Sequence, residues 1–560
     1  MDRRAALQQW FWAALPALLA FALYAPTLTH GYFADDKTLL VDNPYLKRWD
    51  GVFDLVSRDL WAASGLGKST EYYRPLPMLS FWVQTLSFGT SAPWLRLGNI
   101  ALLGACGLML AALLKRQWPM LTPQGATLFA CAWVVHPLNS EATIWLSGRF
   151  DLCLMLGVLA TLLVNLGESR RWSVPLVFAA SLLCKEPAVV LLPVVCLQDY
   201  LGKRRLRDEL AKGCGLIAVT VGYLSLRHLI GVVGAGAVQS SPPLELVQSY
   251  ATLLGVFGRL LLVPVGLDAR HWYEPVTWAL GIGLLFLAAA SVIGALWCAS
   301  RHPRRAGLGV GVALSLASLL PVALIGPNQG IYGDRFASLF VVGLALASPQ
   351  LRFWISPMAR RSRRTIGIVL ISVWSLFTLL RGNEWKSERS LIESALRENP
   401  QHPDWRVLEG TQFIDEGRPQ LAIESLSPVA AANPRYFKVW NALCVAYLRT
   451  EQLAAAHGAC DRAVALDPRS PTAWLNWASV MVNEKRWPEA SQAAEKALQI
   501  RQAYPEAEYI AAVSLAMLGS LDAADDHVNR GLTHDASHAA LLQLKAQLAR
   551  RRALQQSLHK

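Results

Sequence analysis

Runs of about 15–23 apolar residues recur from the N-terminus to Leu380, near the ~20 that a helix needs to cross a bilayer. Beyond Leu380 they stop, and the chain turns polar and amphipathic. That change limits the fold to a polytopic membrane domain of about 380 residues followed by a domain outside the bilayer. Composition agrees: 53% of the 560 residues are hydrophobic, 17% are charged and 21 are tryptophan. The net charge of +13 does not indicate nucleic acid. Its basic residues fall in short clusters between apolar runs: Arg3-Arg4, Lys115-Arg116, Arg170-Arg171, and residues 203–207, 301–305 and 360–364. Such clusters mark cytoplasmic loops under the positive-inside rule.

Threading the runs between those clusters gives about eleven spans. They are 9–28 (a retained anchor), 94–114, 121–137, 150–167, a hairpin of two short helices within 172–200, 212–231, 276–298, 306–325, 336–353 and 365–381. The run 246–263 has both flanks on one side, so it is expected to be re-entrant or interfacial. The N-terminus then lies inside and the C-terminus outside. The outer face receives the long loop 29–93, whose first acids are Asp35 and Asp36. Also on that face are Arg74, Glu141, Arg149, Asp151, Lys185, Glu186, Asp268, Arg270, His271, Asp334 and Arg335, while His136 precedes a proline at a helix end.

After Arg381 the sequence repeats itself every 34 residues. Ala422, Ala456, Ala490 and Ala524 share one position, Pro400, Pro434 and Pro468 another, and Trp440 and Trp474 a third. The pattern resembles the tetratricopeptide repeat (TPR), with four units over 403–538, a linker and half-unit at 382–402, and a basic capping helix and tail at 539–560. Stacked helix pairs make a concave face for an extended peptide or protein partner. Cys444 and Cys460 fall on the two helices of one unit. They are read as two buried thiols, with a disulfide open to them in an oxidising compartment. The fold class expected is all-α: a helical membrane domain, then a TPR solenoid.

Acids and cations at a membrane boundary suit transfer of a sugar from a lipid phosphate. A carboxylate takes the acceptor's proton and cations steady the leaving phosphate. Arginine fits phosphate through its planar fork. Against this stand ordinary readings: Asp35-Asp36 as a helix cap, Asp42-Asn43-Pro44 as turn chemistry, His136 as a satisfied structural histidine. Glu141, Arg149 and Asp151, or Lys185 with Glu186, are open to structural ion pairing. GLGK at 65–68 lacks the spacing and preceding strand of a phosphate loop. No histidine or cysteine cluster has zinc-ligand spacing.

The order ADDKTLLVDNPYL, YYRPLPMLSFWV, HPLNSEATIWLSGRFD, LLCKEP, IYGDRF and then a repeat array resembles the transmembrane-and-tetratricopeptide-repeat (TMTC) proteins. Those are relatives of the protein O-mannosyltransferases within the GT-C glycosyltransferases. The resemblance implies a donor sugar on undecaprenyl or dolichyl phosphate and a protein serine or threonine acceptor, recruited by the repeats. It makes Asp35 the base and Asp36 the residue that holds the acceptor, or a divalent cation if one is used. Arg74, Arg149, Lys185 and Arg335 would bind donor phosphate, with His136, Glu141, Asp151, Glu186 and Asp334 in support. The sequence departs at WLRLGN, where leucine replaces the family's usual histidine and Asn99 remains. A non-catalytic scaffold and an enzyme acting on a glycolipid or polysaccharide are the rival readings. A bacterial inner membrane is favoured over the endoplasmic reticulum.

Overall fold

The computed structural model describes residues 3–64, 72–167, 172–203, 206–232, 242–329, 331–350 and 360–558. GLGK, Arg170-Arg171, Arg204-Arg205, Gly330 and the end of the expected span 336–353 lie outside them. The chain divides into two compact units, one running to Leu391 and the other from Ile392.

The first unit is a membrane-protein bundle. Among the described residues, seven helical stretches are long and apolar enough to cross a bilayer: Trp10–Thr29, Ala92–Gln117, Leu146–Asn165, Glu209–Ile230, Trp278–Arg301, Ala306–Leu324 and Thr365–Glu384. The other expected spans form shorter helices: α5 (Pro123–Val134), α8 (Ser173–Cys184), α9 (Leu191–Leu201) and α15 (Ser338–Ala347). Proline explains two of these ends. His136 is extended, as a residue before proline prefers, and it stops α5 short of Pro137. Pro187 follows the break after Cys184, where Lys185 is extended. The run 246–263 becomes α11 (Pro243–Leu262), which buries Leu253, Phe257 and Leu260 while exposing Leu244 and Leu262. It packs on α12 (Trp278–Arg301) and α14 (Leu320–Gln329).

Close helix approach sets the frame of the site. α1 (Arg3–Tyr24) crosses α4 (Ala92–Gln117) at Gly104, where a Cβ would stand 3.1 Å from Ala17 Cα. Small residues let backbones meet in this way where lipid gives no hydrophobic drive. α7 (Arg149–Asn165) packs on both α4 and α8. The one strand pairing among the described residues is antiparallel, His271 with Tyr332 and Trp272 with Ile331.

The second unit starts within the helix Glu388–Glu398, at Ile392, and continues with four helix pairs from Pro403 to His534, then Ala539–Leu558. The repeating residues have repeating jobs. Ala422, Ala456, Ala490 and Ala524 are each fully buried, where a larger side chain would part the helices. The indoles of Trp440 and Trp474 donate to the carbonyls of Pro434 and Pro468, each at 2.9 Å. Arg462 and Lys496, also one period apart, cover the same two rings at 4.4 and 4.3 Å. Gly417, Glu451, Lys485 and Gly519 share one position in the period, and all have positive φ. That left-handed residue turns helix A into helix B in every unit. Cys444 and Cys460 are joined in a disulfide, with Cα atoms 5.1 Å apart, so the two-thiol reading is corrected.

Candidate active site

The site begins where α1 ends. Arg96, fully buried in the first turns of α4, donates to the carbonyls of Thr27 (3.1 Å), His30 (2.8 Å) and Gly31 (2.7 Å), and to Ile144 (2.8 Å). One guanidinium thus fixes the chain as it leaves α1. Sequence reading missed it because its partners are backbone carbonyls, which no motif displays. Ala34 follows with φ +44°, a left-handed conformation that costs a β-carbon residue about 1–2 kcal/mol. The chain turns sharply there, and Asp35 and Asp36 then face different surroundings.

Asp36 is fully buried and its carboxylate is occupied. Oδ1 accepts from Ser147 N (2.9 Å) and Ser147 Oγ (2.7 Å), and Oδ2 accepts from Phe33 N (3.1 Å). Burial lifts its pKa to about 6, against the pull of those bonds and of Arg96. Both carboxylate oxygens of Asp36, the residue expected to hold the acceptor or a divalent cation, thus accept hydrogen bonds from the fold. No group of three or more His, Cys, Asp or Glu among the described residues converges to suit a metal ion.

Asp35 is the opposite case. It is exposed, and among the described residues its carboxylate accepts no hydrogen bond and forms no ion pair. Its pKa is nonetheless raised by desolvation, with Arg335 and then Arg270 pulling the other way. Asp35 therefore reaches water while the surrounding protein desolvates its carboxylate.

The remaining candidates pair across elements. Arg74, before α3 (Pro75–Phe88), directs Nε (3.0 Å) and Nη2 (2.8 Å) at Glu186 Oε2 and lies over the Tyr72 ring at 4.3 Å. Burial opposes charge on Glu186, yet Arg74 holds its pKa below the ordinary value. Lys185 meets Asp151 at 2.5 Å. Burial, outweighing Asp151, lowers its pKa. Arg335 binds Glu141 through its backbone N (2.8 Å) and its Nη1, and its guanidinium lies over the Trp145 ring at 4.6 Å. Burial keeps the pKa of Glu141 raised despite Arg335. Asp334 accepts from His271 Nε2 at 2.8 Å and lies 3.5 Å from Arg381. Lys185 and Glu186 therefore do not pair with each other, nor do Arg149 and Asp151.

Arg149 and His136 belong to the framework. Arg149 is buried and spends its donors on Asn99 Oδ1 (2.8 Å), Gln84 Oε1 (2.7 Å) and the Leu95 carbonyl, over the Phe81 ring. Asn99 in turn donates to the Trp145 and Leu146 carbonyls (3.0 and 3.2 Å). Arg149, expected to bind phosphate, thus directs its donors to partners within the fold. His136 contacts the Leu261 carbonyl (3.1 Å) and accepts from Leu138 N (3.3 Å), a satisfied structural ring. Arg335 is different: its Nε and Nη2 make no hydrogen bond among the described residues, and it is 22% exposed. Among the candidates the arrangement thus offers Asp35, whose carboxylate has no hydrogen bond among the described residues, within the electrostatic reach of a half-committed Arg335.

Comparison with known proteins follows the same division of the chain. Residues 413–477 match the tetratricopeptide repeat family. The chain is 23% identical to the mouse protein O-mannosyl-transferase TMTC4, over 74% of this chain and 66% of that protein. It is 31% identical to Drosophila melanogaster protein O-mannosyl-transferase Tmtc2, over 34% of this chain and 22% of that protein. The chain therefore spans less than two-thirds of the length of these curated relatives. Among solved structures it is similar to MamA, at 22% identity, over 27% of this chain and 82% of that one, with a TM-score of 0.24.

Proposed function

Because this chain is a TMTC-like protein with a membrane bundle and a TPR array, we propose that it is a membrane glycosyltransferase of GT-C type. It would move a sugar from a polyprenyl-phosphate carrier to serine or threonine hydroxyls of a protein. The observation that carries this reading is the state of Asp35: it reaches solvent with no hydrogen bond or ion pair among the described residues and lies within electrostatic reach of Arg335, whereas Asp36, Glu141, Asp151, Glu186 and Asp334 are each paired or hydrogen-bonded.

In the proposed reaction the acceptor hydroxyl gives its proton to Asp35, and its oxygen attacks the anomeric carbon from the face opposite the phosphate. The bond from anomeric carbon to phosphate oxygen breaks, and its electron pair leaves with the polyprenyl phosphate. Arg335 supports the charge that builds on that oxygen, with the Nε and Nη2 donors that Glu141 leaves unused. Arg74 and Lys185, each already sharing its charge with a carboxylate, set the field around the headgroup. The cleft lies on the periplasmic or lumenal face in this reading, with a bacterial inner membrane the favoured setting. The TPR groove presents the acceptor, as a concave solenoid is suited to do.

Intact-mass analysis of envelope proteins from cells with and without the chain tests the reading. Hexose-sized increments that appear only with the chain are expected, mannose being the first sugar to try. Identical mass spectra under both conditions would sink it.

A further inference from the structure

Phe33 stands two residues before Asp35 and is buried, although the carboxylate it leads to reaches solvent. Its backbone is held at both ends: Phe33 N donates to Asp36 Oδ2 at 3.1 Å, and its carbonyl accepts from Trp145 Nε1 at 3.2 Å. The ring has a separate neighbour. Trp385 meets it edge to face, with centroids 5.2 Å apart and planes at 75°, an arrangement that the ring quadrupoles favour. Trp385 is itself buried, and it comes directly after the helix Arg360–Glu384. The last turns of that helix are fixed to two other segments. Thr378 donates to the Val135 carbonyl at 2.7 Å, and a Cβ at Gly382 would stand 3.4 Å from Thr27 Cγ2.

From Phe33 and from Trp385, contacts lead by two routes to the same loop. The Trp145 indole that holds the Phe33 carbonyl carries the Arg335 guanidinium 4.6 Å above its ring. On the other side, the Arg381 guanidinium lies 5.9 Å from the Trp385 ring and 3.5 Å from Asp334, the residue before Arg335. The two routes close a circuit of contacts between the Asp35 loop and the Asp334-Arg335 loop. We infer that Trp385 is a positioning residue: by packing on Phe33 it completes this circuit and fixes the loop that presents Asp35. This rests on the transferase reading and deepens it, since Trp385 acts on the proposed base through Phe33.

The loop needs such a hold. Ala34, between Phe33 and Asp35, has φ +44°, and a strained residue keeps its conformation only where its surroundings impose it. A base displaced by an ångström loses much of its rate, so anchoring Phe33 matters to Asp35 even though Trp385 touches no substrate. The hold is one of ring packing. Trp385 Nε1 is buried and makes no hydrogen bond among the described residues, so the indole N–H adds nothing that phenylalanine would lack. The chain enters the second unit shortly afterwards, at Ile392, so the segment that leads to the repeats begins at a residue that shapes the proposed base.

The test uses the full chain in phosphatidylcholine nanodiscs and reads amide hydrogen exchange by mass spectrometry. The reporters are Asp36 N and Leu39 N, which donate to the Phe33 and Asp35 carbonyls at 2.9 and 2.8 Å. Trp385→Ala should speed exchange in the peptide 31–39 by about tenfold. Trp385→Phe, which keeps an aromatic ring against Phe33, should restore most of the protection. Trp374→Ala serves as the control, because Trp374 lies on the same helix but packs on His136, with centroids 4.6 Å apart. It should leave that peptide unchanged. In transfer assays Trp385→Ala should lower kcat about tenfold or more with KM for the acceptor nearly unchanged, and Trp385→Phe should recover it. Wild-type exchange at 31–39 in a folded Trp385→Ala variant would overturn the inference, and so would an equal rise in Trp374→Ala. If Trp385→Ala does not fold, Phe33→Leu removes the ring contact from the other side, and unchanged exchange there overturns it too. Exchange needs no turnover, so a wild-type chain without transfer activity would sink the transferase reading while the loop contact is still decided.

Discussion

Asp35 and Asp36 are indistinguishable by type, adjacent in sequence, and opposite in circumstance. Asp36 is held by three hydrogen-bond donors from two segments, so it joins the loop after α1 to residue 147. Asp36→Asn keeps the shape but sets an amide donor against Phe33 N. It should lower the thermal unfolding midpoint, at a cost of about 1–3 kcal/mol for the unsatisfied pair. An unchanged midpoint would contradict the structural role. For Asp35 the prediction concerns pH. A base must be ionised, and transfer should fall as pH drops through its pKa, which burial holds above the ordinary aspartate value. Arg335 pulls that pKa down, so removing its charge must push it up. In Arg335→Gln the acid limb of the pH–rate profile should therefore move to higher pH, and a limb that stays or moves lower would refute the coupling.

At the scale of elements, periodicity was readable and pairing was not. The apolar runs mark the helices because a bilayer imposes their length and composition. The 34-residue period marks the repeats because the same helix contacts recur. Ion pairs carry no such local signature. Arg74–Glu186 and Arg335–Glu141 join residues far apart in the chain, and which partner each finds depends on how the helices stack. For the same reason the sequence suggested Arg149 for phosphate, whereas packing had already spent its donors. The left-handed turn position of each repeat was also hidden, since two units use glycine there and two do not. That difference predicts a gain. Glu451 and Lys485 hold φ +58° and +60°, so Glu451→Gly and Lys485→Gly should each stabilise the array by some tenths to about 1 kcal/mol. Urea unfolding of the full chain, followed by helical circular dichroism, would show a later transition for the repeats; an earlier one would count against the strain.

On the scale of the whole molecule, the chain combines a helical membrane unit with a repeat unit carrying a disulfide. Disulfides persist in oxidising compartments, which agrees with a repeat unit on the periplasmic or lumenal side. In membranes prepared without reductant, Cys444 and Cys460 should resist alkylation until a reducing agent is added. Labelling of both without reduction would place that unit in a reducing compartment and remove a support of the proposed topology. The central claim remains chemical, and it rests on one carboxylate. Its most direct measurement is single-turnover transfer from a polyprenyl-phosphate sugar to an acceptor protein, comparing wild type with Asp35→Asn. The account predicts a loss of about a hundredfold or more in rate with the unfolding midpoint unchanged. Transfer at the wild-type rate by a folded Asp35→Asn variant would contradict it.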